Sequence, residues 1–269
     1  MQMMMMPVSN LRLNHHFVLI HGIGGGAWCW YKLKCLMENS GFRVTCLDLK
    51  SAGIDPADPN DILTFKEYNE PLVNMLQELP ESERVILVGH SAGGLSVTRA
   101  CGMFKDKILL AIYVGATMLR NGLCTTEDIK IGVPDLSDYG EDVCDLRFGN
   151  GTDHPPTSAL IKTEFQRKIL YHMCSQEDSN LAALLLKPGP LQAILGAKFD
   201  QGSPVDAVPR VFIKTVQDRV ITPEQQDAMI EKWPPENVYS IDSDHSPFFS
   251  APFMLLGLLV KATASLPTI

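Results

Sequence analysis

A serine among small residues, in Gly89-His90-Ser91-Ala92-Gly93-Gly94, matches the nucleophile pattern G-x-S-x-G. A serine hydroxyl is a poor nucleophile near neutral pH. It attacks a carbonyl only when a base within hydrogen-bond reach takes its proton and a carboxylate orients that base. Seven histidines are available. His15 and His16 precede the first strand-like run, His21 ends it, His90 adjoins Ser91, and His154 and His172 fall in a polar middle region. His245 alone follows a late strand-like run, in Asp242-Ser243-Asp244-His245-Ser246-Pro247, and is the predicted base. Asp218, just beyond the run Val211-Phe212-Ile213, is the predicted acid. Its rivals are Asp206, Asp227, Asp242 and Asp244; Asp206 precedes its strand, and Asp242 and Asp244 lie too close to His245 in sequence to reach it without contortion.

Acyl transfer also builds negative charge on an oxygen, which backbone N–H groups must meet. One donor is expected from Ala92, directly after the nucleophile. The other is expected from Ile23, in the turn His21-Gly22-Ile23-Gly24 after the first strand-like run. Gly22 and Gly24 there suit close backbone approach. A competing reading makes this turn a dinucleotide loop with Asp48 as the ribose-binding acid. It fits G-x-G-x-x-G only if the last glycine is relaxed to Ala27, and it leaves Ser91 and His245 unexplained.

The elements that would position these groups alternate. Short β-rich runs at Phe17-Val18-Leu19-Ile20, Val44-Thr45-Cys46-Leu47 and Val85-Ile86-Leu87-Val88 are separated by helical patterns over 28–39 and 65–78. A helix over 95–103 and a strand over 109–114 follow. From about Met118 the rhythm changes, with helical patterns over 165–173 and 180–186, and strand runs return at 211–213 and 238–241 before a last helix over 252–264. The predicted organisation is a flexible leader over 1–14, a core formed by 15–117 and 200–269, and a mainly helical cap over 118–199. The sheet should be mostly parallel and covered by helices on both faces. The cap is expected to close an apolar substrate pocket over Ser91, with Gly22, Met118, Phe148, Phe165 and Leu184 as substrate-binding residues and Tyr171 and Met173 in or next to the lining. Trp28 and Trp30 are expected to pack, and Phe248 and Phe249 to support His245.

The chain has 269 residues, 45% of them apolar, and a formal net charge of −8. That composition supports a full core and gives no basic face for a nucleic acid. The start, Met-Gln-Met-Met-Met-Met, lacks the basic and apolar segments of a signal peptide. The longest apolar stretch, 248–260, is broken by Ser250, Pro252 and Gly257, so no membrane span is expected. Seven cysteines without paired spacing predict reduced thiols and a cytoplasmic location. No metal-binding pattern is present.

The segments HFVLIHGIGGGAWCWYKLK, VTCLDLKSAGID, VILVGHSAGG and SDHSPFFS resemble those of the plant methylesterase and hydroxynitrile lyase family of α/β-hydrolases, from about Phe17 to the C-terminus. GVPDLSDYG, HPPTSALIK and PEQQDAMI extend the likeness toward the methyl indole-3-acetate esterase subgroup. The resemblance implies an α/β-hydrolase fold and a cofactor-free, metal-free serine esterase acting on a small-molecule methyl ester, usually as a homodimer. It maps Ser91, His245 and Asp218 to nucleophile, base and acid, and Ile23 and Ala92 to the oxyanion donors. Lyases of the family carry a lysine after the histidine, a threonine in the first turn and a cysteine after the serine. Here those places hold Ser246, Gly22 and Ala92, which favours hydrolysis. Further alternatives are a small-molecule hormone receptor and an esterase for an alkaloid-like ester whose acid then decarboxylates. The glycine-rich Gly24-Gly25-Gly26 predicts a donor turn that is either looser or shaped for a different acyl group.

Overall fold

The computed structural model describes residues 15–264 and 266; the leader expected over 1–14 lies outside them. The strands are β1 (His16–Ile20), β2 (Arg43–Leu47), β3 (Val85–His90), β4 (Ile108–Val114), β5 (Cys144–Arg147), β6 (Ser158–Ile161), β7 (Arg210–Thr215) and β8 (Asn237–Ile241). Six of them form one parallel sheet in the order β2-β1-β3-β4-β7-β8. The chain leaves β1 for one edge and returns to its other side as β3. The crevice at the carboxyl ends of β1 and β3 is therefore the switch point at which open α/β sheets bind ligands.

The helices are α1 (Tyr31–Asn39), α2 (Phe65–Tyr68), α3 (Glu70–Glu78), α4 (Gly93–Met103), α5 (Thr126–Gly132), α6 (Thr163–Ile169), α7 (Gln176–Leu185), α8 (Leu191–Leu195), α9 (Pro223–Lys232), α10 (Pro247–Ser250) and α11 (Pro252–Thr263). Successive strand side chains point to opposite faces. Phe17, Leu19, Ile86, Val88, Ile112 and Val114 join the core under α1 and α11. Val18, Ile20, Leu87 and Tyr113 join the core on the α4 face. Burial on both faces explains why these strands are continuously apolar rather than alternating.

Local chemistry sets the helix ends. Gly41, at φ 89°, closes α1: its N–H donates to Glu38 O and that of Phe42 to Met37 O, the paired bonds of a Schellman stop. The single helix expected over 65–78 is two helices. Pro71 occupies the first turn of α3, where its missing N–H and its ring forbid continuation from α2. The segment over 118–199 carries α5 to α8 and also the antiparallel pair β5–β6, which the helical expectation omitted.

Candidate active site

Ser91 sits between β3 and α4 with φ 53°, a left-handed backbone uncommon for a residue with a side chain. The bend is fixed by close packing of backbone on backbone. A Cβ on Gly93 would lie 2.5 Å from His21 O and 2.7 Å from Ile20 O, so the elbow rests on the end of β1. A Cβ on Gly22 would lie 2.8 Å from Ser91 Cβ and 3.2 Å from Ser91 Oγ, which puts the first turn against Ser91. Ser91 O accepts the N–H groups of Gly94 and Thr117, each at 3.0 Å.

The structure brings Asp218 and His245 together. His245 Nδ1 lies 3.0 Å from Asp218 Oδ1 and 2.9 Å from Oδ2. Oδ1 also accepts the N–H groups of Val220 at 2.8 Å and Ile221 at 3.1 Å, and Oδ2 accepts Thr215 Oγ1–H at 2.7 Å. Every partner is a donor, which suits an ionised carboxylate that holds the imidazole with its proton on Nδ1 and Nε2 free. From α9, Gln226 braces this loop: its Nε2 donates to Thr215 O at 3.0 Å and Ile221 O at 2.8 Å, and its Oε1 accepts Thr215 N–H at 3.0 Å. Ser91 and His245 line the same cavity. They are not hydrogen-bonded to each other here, as is common for nucleophile and base before substrate binds.

The rival carboxylates have other partners. Asp206 binds Arg120 and Trp233, Asp227 binds Lys214, and Asp242 meets Gln217. Asp244 is buried and accepts Met173 N–H at 2.7 Å and Cys174 Sγ at 3.2 Å, tying the approach to α7 onto the His245 loop. Buried His90 reaches the same loop, with Nε2 2.6 Å from His245 O, and packs its ring on His245 and Phe248. Burial drives the His90 imidazole well below its ordinary range, so it is the neutral ring that donates.

The N–H groups of Ile23 and Ala92 flank the cavity, and neither has an acceptor among the described residues. Ala92 is also the N-cap of α4, where the helix dipole favours negative charge. The glycine turn is tight rather than loose. Gly25 N–H donates to Gly22 O at 3.2 Å, and a Cβ on Gly26 would meet Gly53 Cα at 2.8 Å and Asp48 Oδ1 at 2.9 Å. Asp48 accepts Ala27 N–H at 2.6 Å and Ile54 N–H at 3.2 Å, so it braces the turn instead of waiting for a ribose.

The cavity holds about 240 Å³ and opens onto Ser91. Its wall corrects the expected lining. Met118, Phe148, Phe165 and Leu184 do not line it. Met118 is fully buried beneath, its N–H against Met229 Sδ, while its neighbour Thr117 lines the cavity. Phe148 is 40% exposed beyond the end of β5, and Leu146, two residues earlier, reaches the cavity. Phe165 packs half-buried against the core. Leu184 is 82% exposed because α7 turns Asp178, Ser179 and Ala182 inward. Met173 is exposed and off the wall, whereas Tyr171 is on it. Trp28, expected to pack, and Phe248, expected to support His245, also line it. The missed wall comes mainly from the β5–β6 hairpin and the segment around α8, through Leu160, Ile161, Leu191 and Ile194. Asn150-Gly151, a strong turn dipeptide, was the available sign of that hairpin.

Among the described residues no group of three His, Cys, Asp or Glu could hold a metal ion, and no helix is long and apolar enough to cross a membrane. The described cysteines are free. A model of the alpha/beta hydrolase family matches residues 17–255. Methylesterase 17 of Arabidopsis thaliana is 58% identical over 258 residues, covering 94% of this chain and 93% of its own length. The crystal structure of the methylesterase protein MES16 from Arabidopsis matches with a TM-score of 0.84 at 41% identity, covering 93% of this chain and 99% of that one. That of polyneuridine aldehyde esterase matches with a TM-score of 0.83 at 32% identity, covering 93% and 99%. The chain belongs to the alpha/beta hydrolase family, among its plant methylesterases.

Proposed function

We propose that the protein is a serine carboxylesterase that hydrolyses small methyl esters of the methyl indole-3-acetate type to the free acid and methanol. The observation that carries the reading is the buried Asp218–His245 pair, opening with Ser91 into one cavity. His245 takes the Ser91 proton as Oγ attacks the ester carbonyl, and the N–H groups of Ile23 and Ala92 meet the oxyanion. Methanol leaves with that proton. Water, deprotonated by His245, then releases the acid.

The wall supports a neutral, flat acyl group. Trp28, Tyr171 and Phe248 supply aromatic surface, and no Lys, Arg, Asp or Glu lines the cavity. An ester loses little on entering such a site, while the carboxylate product finds no counter-ion there and is expelled. The same lack of a cation disfavours cyanohydrin cleavage, which needs positive charge for the leaving cyanide.

Wild type and Ser91→Ala should be compared on methyl indole-3-acetate, methyl jasmonate and methyl salicylate, with acid and methanol both quantified. Equimolar acid and methanol from the indole ester, absent with S91A, is the expected result. Tight binding without turnover would replace the esterase reading with a receptor.

A further inference from the structure

The turn that carries Ile23 is clasped from outside its own strand. Residues 187–189, the link from α7 to α8, lie directly across it. Lys187 N–H donates to Gly24 O at 3.0 Å, and a Cβ on Gly24 would lie 2.7 Å from Lys187 O. The Gly189 backbone passes so near that a Cβ there would meet Ile23 Cγ1 at 2.2 Å and the Gly24 nitrogen at 2.8 Å. Gly189 is not among the glycines with positive φ, so proximity, not backbone angle, demands glycine. The link is anchored on its far side: Gly189 and Ala159 exchange N–H···O bonds of 2.9 and 3.0 Å, and Lys187 Nζ donates to Asp55 O at 3.1 Å.

We infer that this link is the outer wall of the oxyanion hole and that Gly189 is a positioning residue, fixing the Ile23 N–H against the developing charge. The inference rests on the ester-hydrolase reading above. Of the two donors, Ala92 is held by the end of α4. Ile23 lies in a glycine turn that the 187–189 link meets from outside. An oxyanion donor is effective only when pre-organised, and small displacements of catalytic groups are costly.

The test uses Gly189→Ala, with Ser91→Ala as control, on p-nitrophenyl acetate and the best methyl ester. A methyl at position 189 should displace the turn and its Ile23 N–H, lowering kcat on the order of tenfold to a hundredfold while KM stays within about threefold. Two inhibitors separate this from general damage. A trifluoromethyl ketone is attacked by Ser91 Oγ: the O–C bond forms, the carbonyl π pair moves to oxygen, and the serine proton passes to His245, so its affinity needs the oxyanion hole. An isostere with an alkyl chain in place of the ester needs only the pocket. G189A should weaken the ketone by about the same factor as kcat and leave the isostere unchanged. Should G189A not fold, Gly189→Ala with Ile23→Ala removes the atom in closest conflict but keeps pressure on the Gly24 nitrogen. Its kcat should lie below that of I23A alone at similar KM.

If wild type is active through Ser91 and the 189 variants keep kcat within about twofold, or lose both inhibitors equally, the inference falls and the hydrolase reading stands. If wild type turns over no ester, both fall.

Discussion

Ser91 holds a left-handed backbone at a cost of about 1–2 kcal/mol, so its hydroxyl is presented at the expense of stability. Both Ser91→Ala and Ser91→Gly should abolish turnover, but S91G should be the more stable by about 1 kcal/mol in urea denaturation, since glycine carries no Cβ in that region. A less stable S91G would show that the elbow is unstrained. Asp218→Asn must turn one amide N–H toward a donor, because both carboxylate oxygens already accept from donors. It should lower kcat by about 10³–10⁴ with KM little changed, measured by steady-state kinetics on the best ester. The meeting of Asp218 with His245 was legible because each lies just beyond a strand of one parallel sheet, whose carboxyl ends necessarily gather on one edge. The wall residues were not legible. Phe148 falls just past the end of β5 while Leu146 lies within it, and Thr117 and Met118 are neighbours in a loop, so composition does not fix which of them faces the cavity.

The acid loop between β7 and α9 depends on one side chain reaching back from the helix. Gln226 satisfies both Thr215 backbone groups and Ile221 O in a fully buried setting. Gln226→Leu keeps the volume and orphans those groups, so it should cost about 2–4 kcal/mol and lower Tm in calorimetry, with kcat falling as the Asp218 loop loosens. Unchanged Tm and kcat would mean that water replaces the amide. The strands of the sheet were readable as apolar runs because both faces are covered. The hairpin β5–β6 was not, since its strands have four residues each and half-exposed faces, too few positions for a period of two to stand out. Asp178 on α7 joins this segment to the core, accepting Tyr31 OH at 2.7 Å and Lys32 Nζ at 2.6 Å while also accepting Ser175 Oγ–H at the helix start. Burial alone would raise its carboxyl, but the bonds from Lys32, Ser175 and Tyr31 hold it lower.

For the molecule as a whole, two buried imidazoles favour a loss of stability in acid. His21, with Nδ1 2.7 Å from Gly22 O and Nε2 accepting Leu49 N–H at 3.1 Å, is fully buried, and burial lowers it from 6.5. His90 is lowered further by burial and the neighbouring His245. The unfolded chain exposes both at ordinary values, so it binds more protons than the folded one once pH drops below about 6.5. Their contribution is therefore complete above that value and is lost progressively as pH falls toward the depressed folded values. Urea midpoints should decline from about pH 7.5 to about pH 5, and His90→Phe should flatten the decline. An unchanged slope would assign the acid sensitivity elsewhere. The break in the βα rhythm that opens the segment over 118–199 was visible in the sequence. The grip of that segment on Asp244 and on the Ile23 turn was not, because such contacts join residues remote in sequence.

That remoteness also governs how the chain is made. The strand order puts Ser91 directly after β3, early in synthesis and in the middle of the sheet, while Asp218 and His245 follow β7 and β8, and β8 is an edge strand. The nascent chain can pair β1 to β4 from nearby segments, yet it must close a loop of the whole inserted region before β7 docks, and such long closures come late. On the proposed chemistry, Ser91 is thus housed in the sheet before the loops carrying Asp218 and His245 fold against it.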